Sequence, residues 1–149
     1  MGKIWFPVYG TVSLDELRGF IELNMLKHLD IRIEAMTDDT FIASMPVDHR
    51  TCQPLGLLHG GASCVLAESL GSIASYLCID PDKYTVVGLE INANHIRSVK
   101  RGRVTGYCKP VHLGRSSHIW DIRINNDEDM LVCISRMTNA ILDKEGRNV

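Results

Sequence analysis

Residues 57–77, LLHGGASCVLAESLGSIASYL, constrain the fold more than any other stretch. Ala62, Val65, Leu66, Leu70, Ile73, Ala74 and Leu77 recur at helical spacing but cover more than one stripe, so this helix has to be wrapped by other structure. In its middle stands one acid, Glu68. An unpaired carboxylate among apolar side chains is costly to bury and usually neutralises or finds a partner. Two readings are open on pattern alone. Glu68 turns to solvent or pairs with an arginine such as Arg97 or Arg115, or it does chemistry.

The flanking sequence supplies the wrapping. SLDELRGFIELNMLKHL places Ser13 and Glu16 at capping-box spacing and repeats Leu14, Leu17, Ile21 and Met25, which predicts one amphipathic helix. DIRIEAMTDDTFIASMPV alternates through Ile31, Ile33 and Ala35, then Phe41, Ala43, Met45 and Val47, around a Thr-Asp-Asp turn, and predicts a β-hairpin. Asp48, Pro54 and Gly56 make the segment before the long helix a loop. After the helix, Val87, Leu89, Ile91, Ala93 and His95 are expected on one face of a strand. RVTGYCKPVHLGR, SHIWDIRIN and MLVCISRMTNAILD are three further strands, with a hairpin about Gly114, Arg115 and Ser116, and the tail KEGRNV is expected to fray. Consecutive strands without intervening helices form antiparallel sheet, so the class is α+β, one antiparallel sheet curled about one long helix. Val86, Tyr107, Val111, Leu113, Ile119, Met137 and Ile141 are assigned to the outer face, and an apolar outer face calls for a symmetric oligomer.

Composition narrows the function classes. The 149 residues are read as a single domain, with 45% hydrophobic and 23% charged residues. A formal charge of -2 gives no general attraction to nucleic acid. No apolar stretch reaches the ~18–20 unbroken residues that cross a bilayer, and the first residues do not read as a leader, so the chain is expected to be cytoplasmic. Cys52, Cys64, Cys78, Cys108 and Cys133 are widely spaced, which suits reduced, buried thiols. The six histidines lack metal-ligand spacing, so no required metal is expected, and no phosphate-cradling glycine motif points to a nucleotide cofactor. Ser63 lacks the glycine frame of a nucleophile elbow.

The helix opening offers a chemical role. The first amides of a helix carry the positive end of its dipole and can hold a developing oxyanion, which makes the N–H of Gly60 or Gly61 a carbonyl polariser with His59 beside it. Glu68 lies about two turns further on, ~12 Å at 1.5 Å per residue, too far to share one carbonyl with Gly60 of the same helix. A two-fold axis that sets Glu68 of one copy against His59 and Gly60 of another removes the difficulty. The basic stretches HIRSVKRGR and HLGRSSH suit phosphate, and read equally as solvated loop charges.

With these residues in place, LLHGGASCVLAESLGSIASYL, VVGLEINANHIRS and HLGRSSHIWDIRI resemble the hotdog-fold acyl-CoA thioesterases over roughly residues 13–142. The likeness is strongest to the bacterial aromatic branch, which includes the 1,4-dihydroxy-2-naphthoyl-CoA hydrolases of menaquinone synthesis and the proofreading thioesterases of enterobactin synthesis. The resemblance implies a hydrolase of aromatic, and also fatty, acyl-CoA that needs no cofactor. It implies Glu68 as the catalytic carboxylate, Gly60 as the backbone donor, His59 as its neighbour and Gln53 as a loop amide near the carbonyl. It places Ser69, Ser72 and His95 in the pocket, and Arg97, Ser98, Arg115 and Ser116 are the candidates for holding the substrate's phosphates. Implied partners are a second copy of the chain, commonly as a dimer of dimers, and, where the thioester hangs on a carrier protein, that protein's surface. A hotdog dehydratase and a non-catalytic acyl-CoA sensor are the competing readings.

Overall fold

A computed structural model describes residues 2–7, 9–10, 12–19, 22 and 24–145. The elements run α1 (Leu14–Gly19), α2 (Met25–His28), β1 (Arg32–Met36), β2 (Phe41–Pro46), α3 (Gly60–Leu77), β3 (Tyr84–His95), β4 (Arg103–Leu113), β5 (Ser117–Asn126) and β6 (Leu131–Asp143). Six strands form one antiparallel sheet in the order β1-β2-β4-β5-β6-β3, so β1 and β3 are its edges. The sheet wraps α3. Leu66, Ala67, Leu70, Ala74 and Leu77 of the helix are buried with Phe41, Ala43 and Met45 of β2, Val104 and Cys108 of β4, Trp120, Ile122 and Ile124 of β5, and Met137 of β6.

The expected first helix is two short ones. The Ser13–Glu16 capping box is present: the Ser13 N–H and hydroxyl both donate to Glu16 Oε2 at 2.8 Å. α1 nevertheless ends at Gly19, and Asn24 caps a new start, its Oδ1 accepting from the Leu26 N–H at 3.0 Å. A glycine and an Asx cap five residues apart outweigh the apolar periodicity. Ile21, one of the periodic positions, and residues 146–149 of the tail lie outside the described residues.

Three local irregularities correct the expected faces. A bulge between Gly88 and Glu90 changes the phase of β3, so Val86 and Gly88 face α3 while Val87 and Leu89 are 42% and 64% exposed. A second bulge between Pro110 and His112 sets Leu113 opposite buried His118, on the helix side. On β6 the inward row is Cys133, Ser135, Met137, Asn139 and Ile141, so Met137 and Ile141 point in rather than out. Hydrophobic alternation misses this row because two of its members are polar and find partners inside. Ser135 Oγ donates to the Asn92 carbonyl at 2.6 Å, and Asn139 Nδ2 to the Gly71 carbonyl at 3.1 Å.

The outer face is therefore mixed. Tyr107 and Ile119 remain on it beside Lys109, Asp121, Arg123 and Arg136. Exposed Val87 and Leu89 stand on β3, whose second edge has no strand partner among the described residues.

Candidate active site

The loop before α3 is pinned before the helix begins. The Leu58 N–H donates to the Val99 carbonyl and the His59 N–H to the Thr51 carbonyl, both at 2.8 Å. His59 is the N-cap, with extended backbone (φ -70°, ψ 132°), and its Nδ1 accepts from the Gly61 N–H at 2.8 Å. Two consequences follow. In the neutral ring the proton sits on Nε2, and the Gly61 amide is spent on the cap. The Gly60 N–H makes no hydrogen bond among the described residues, so of the two glycines it is the one left to polarise a carbonyl. Gly60 also lets His95 approach the helix start: a Cβ there would lie 2.7 Å from His95 Nε2 and would displace that ring.

Gln53 belongs to the same corner. Its N–H donates to the Leu57 carbonyl, and its carbonyl accepts from the Gly56 N–H, both at 2.8 Å, in a turn where Gly56 takes φ +74°. Its Oε1 accepts from the Leu55 N–H at 2.6 Å, which leaves the side-chain NH₂ to donate. Gln53, Gly60, His95, Arg97 and Ser98 line one cavity of about 330 Å³.

Glu68 is exposed rather than buried, as the solvent-facing alternative expected, and it borders a different cavity. This one, about 630 Å³, is bordered by Val65, Glu68, Ser69, Ser72, Ile73 and Tyr76 of α3, Thr85 and Val86 of β3, and Asn24, Met25 and Leu26 at α2. Ser69 Oγ donates to the Val65 carbonyl at 2.6 Å, so toward the cavity it can only accept. Glu68 forms no ion pair among the described residues. Neither arginine of the pairing alternative reaches it: Arg97 Nε donates to the Leu131 carbonyl at 3.4 Å, and Arg115 lines a third cavity of about 340 Å³. The Glu68 charge is felt one turn back at Cys64, whose thiol is pushed up first by burial and then by that carboxylate.

The sequence candidates thus fall into three groups within one protomer. Glu68, Ser69 and Ser72 stand together, and so do Gln53, Gly60, His95, Arg97 and Ser98 with His59 at the helix start. Arg115 sits at the far end of α3 with Tyr84, His118 and Ile141, and the neighbouring Ser116 carbonyl accepts from the Ile141 N–H at 3.0 Å. Residues missed from sequence are Thr85, Val86, Gly88 and the α2 wall of the large cavity. The bulge hides the first three, and the fourth depends on how α2 docks.

A family model described as "Thioesterase superfamily" matches residues 55–133. The chain belongs to that superfamily. This thioesterase is 56% identical over 131 residues to the 1,4-dihydroxy-2-naphthoyl-CoA hydrolase of Escherichia coli strain K12, covering 88% of this chain and 96% of that protein. The crystal structure of a mutant thioesterase PA1618 from Pseudomonas aeruginosa superposes with TM-score 0.90 at 50% identity, covering 95% of this chain and 99% of that one. SAV0944 of Staphylococcus aureus, solved as a glutamate-to-alanine and a glutamine-to-alanine mutant, is 43% and 44% identical with TM-scores of 0.78 and 0.76. Those two structures cover 80% and 78% of this chain, and 99% and 97% of their own. The fold is the hotdog of this superfamily, and the chemistry is thioester hydrolysis.

Proposed function

We propose that this thioesterase hydrolyses aromatic acyl-CoA in a site shared by two copies of the chain, Glu68 from one and the Gly60 N–H from the other. The observation that carries the reading is the separation of the two halves. The Glu68 cavity abuts Thr85 and Val86 at the start of β3, the Gly60 cavity abuts His95 at its end, and the free edge of β3 runs between them. Antiparallel pairing of β3 with its own copy about a two-fold axis sets the start of one strand beside the end of the other. Each Glu68 cavity then meets a Gly60 cavity. The same pairing carries Arg115 and Ser116 toward Arg97 and Ser98 of the second copy, where together they hold the phosphates of CoA.

Two further observations support these roles. The glutamate and glutamine replaced in the S. aureus mutants stand fifteen residues apart, the spacing between Gln53 and Glu68 here. The large cavity, apolar along Val65, Ile73, Leu77 and Val86 with hydroxyls at Ser69 and Ser72, suits a ring system bearing polar groups, and the E. coli relative's named substrate is a dihydroxynaphthoyl thioester. That substrate class is the reading that puts the chain in menaquinone synthesis. Hydrolysis needs a polarised carbonyl and an activated attacker. The leaving thiolate, of thiol pKa ~8.5, needs no general acid. Glu68 removes a proton from water, which attacks the carbonyl carbon as the C–S bond breaks, or it attacks directly and water opens the mixed anhydride.

Co-expression of Glu68→Ala and Gly60→Pro chains under different tags tests the shared site, since proline removes the N–H at a first helical position that tolerates it. Each variant alone should be nearly inactive, whereas the purified mixed species carries one intact site in two and should recover up to about half of wild-type turnover. No recovery in that species sinks the shared site. Ranking aryl-CoA, fatty acyl-CoA and aryl-carrier-protein thioesters by kcat/KM tests the substrate class, with aryl-CoA expected first.

A further inference from the structure

The turn of α3 that begins at Glu68 packs against Met137 of the sheet. Met137, 1% exposed, lies on the inward row of β6 in register with Ile91 of β3 and Trp120 of β5. Two glycines make room for it. A Cβ at Gly71 of α3 would stand 2.8 Å from Met137 Cγ and 3.0 Å from its Cβ, and a Cβ at Gly88 of β3 would stand 2.9 Å from Met137 Cε. The thioether therefore runs from beneath Gly71 to the bulge of the edge strand, under the helical turn that begins at Glu68. That same Cβ at Gly88 would lie 3.3 Å from Glu68 Oε1. The methyl group and the carboxylate share the space over one glycine.

We propose that Met137 and Gly88 are positioning residues for Glu68 in thioester hydrolysis, a role that rests on Glu68 being the catalytic carboxylate. Neither touches the reacting atoms. Gly88 gives the carboxylate a bare backbone wall to lie against, and the bulge at 88–90 brings that wall to the helix. Met137 fills the apolar side of the same space, and its unbranched thioether follows a bent path that a branched side chain does not. With this wall and the thioether behind it, the exposed carboxylate faces outward, along the edge where the thioester has to arrive. Geometry of this kind matters because an ångström of misplacement at the reacting group can cost about 100-fold in rate.

Two substitutions and their combination read this out. Gly88→Ala adds a methyl to the shared space; the far end of Met137 can swing aside, so the fold is retained while Glu68 is displaced. Met137→Leu keeps the volume nearly constant but stops one bond short of Cε. Each should lower kcat about 10- to 100-fold with KM held within about 2-fold. The double variant should turn over faster than either single one, because leucine vacates what the alanine methyl fills. Glu68→Gln is measured beside them. Should it turn over like wild type, the catalytic reading falls and the proposal with it. Should Glu68→Gln be inactive while both single variants keep wild-type kcat, the positioning role alone is overturned. Losses that multiply in the double variant also overturn it, since they mean that the two residues share no space.

Discussion

The two halves of α3 place polar groups on the same apolar helix and treat them in opposite ways. In the second half, Ser75 is fully buried and paired. Its hydroxyl oxygen accepts from Trp120 Nε1 at 2.7 Å and from Asn139 Nδ2 at 2.8 Å, so three buried polar side chains tie helix to sheet. In the first half, the Gly60 N–H and the Glu68 carboxylate meet no such partner and open onto cavities. Polar groups that close on each other fix a helix in its sheet. Groups held in place without a protein partner are available to a substrate, and on the proposed reading this difference separates structural from chemical residues on one helix.

The sharpest way to break this contrast is at Glu68. Glu68→Gln should lower turnover by about 1,000-fold or more, as loss of a base or nucleophile does, with an unchanged melting temperature because no internal bond is lost. Steady-state kinetics and thermal melts on the same sample decide it, and a melting temperature that falls with activity would put Glu68 on the structural side. Ser75→Ala should behave in the reverse way. It strands the Trp120 donor in the core, leaves Asn139 Nδ2 only the Gly71 carbonyl, and should cost about 2–3 kcal/mol in denaturant unfolding, with kcat near wild type for the fraction that folds.

A pH-dependent effect of similar size lies at His118 of β5, which meets Trp120 edge-on with centroids 6.3 Å apart. Burial pushes its pKa down from 6.5 to about 4, and its Nδ1 has no hydrogen-bond partner among the described residues. The folded state thus holds the ring neutral where the unfolded chain would already be protonated. Stability is fully present above pH 6.5, declines as pH falls toward about 4, and levels off below. Melting temperature against pH should show this extra slope in the wild type and lose it in His118→Phe. Parallel profiles would remove His118 from the pH response.

Much of the molecule is legible in the sequence, and the reasons can be located. The long helix is readable because its apolar positions exceed one stripe, and the β1–β2 hairpin because its alternation is interrupted by turn chemistry. Gly60 and Glu68, with His59 beside the glycines, stand out because acids and glycine pairs are unusual in an apolar helix, whereas Gln53 is marked only by the family resemblance. What failed to read was phase and partnership. The bulge at Gly88 turns Val87 outward and Val86 inward, and Asn139 and Ser135 occupy inward positions that alternation assigns to apolar residues. The periodicity of residues 13–29 overran the break between α1 and α2, where local capping won.

Sequence by itself determined the class of fold, the central helix and the places along it where polar groups stand, because periodicity and helix-end chemistry are local properties. Tertiary structure decided that the Gly61 amide is spent on His59 while that of Gly60 is left open, and that Glu68 and Gly60 open onto separate cavities at opposite ends of one edge strand. Those outcomes depend on bulges, caps and strand register. They are settled when distant segments compete for the same hydrogen bonds and the same space, and no local pattern records the winner.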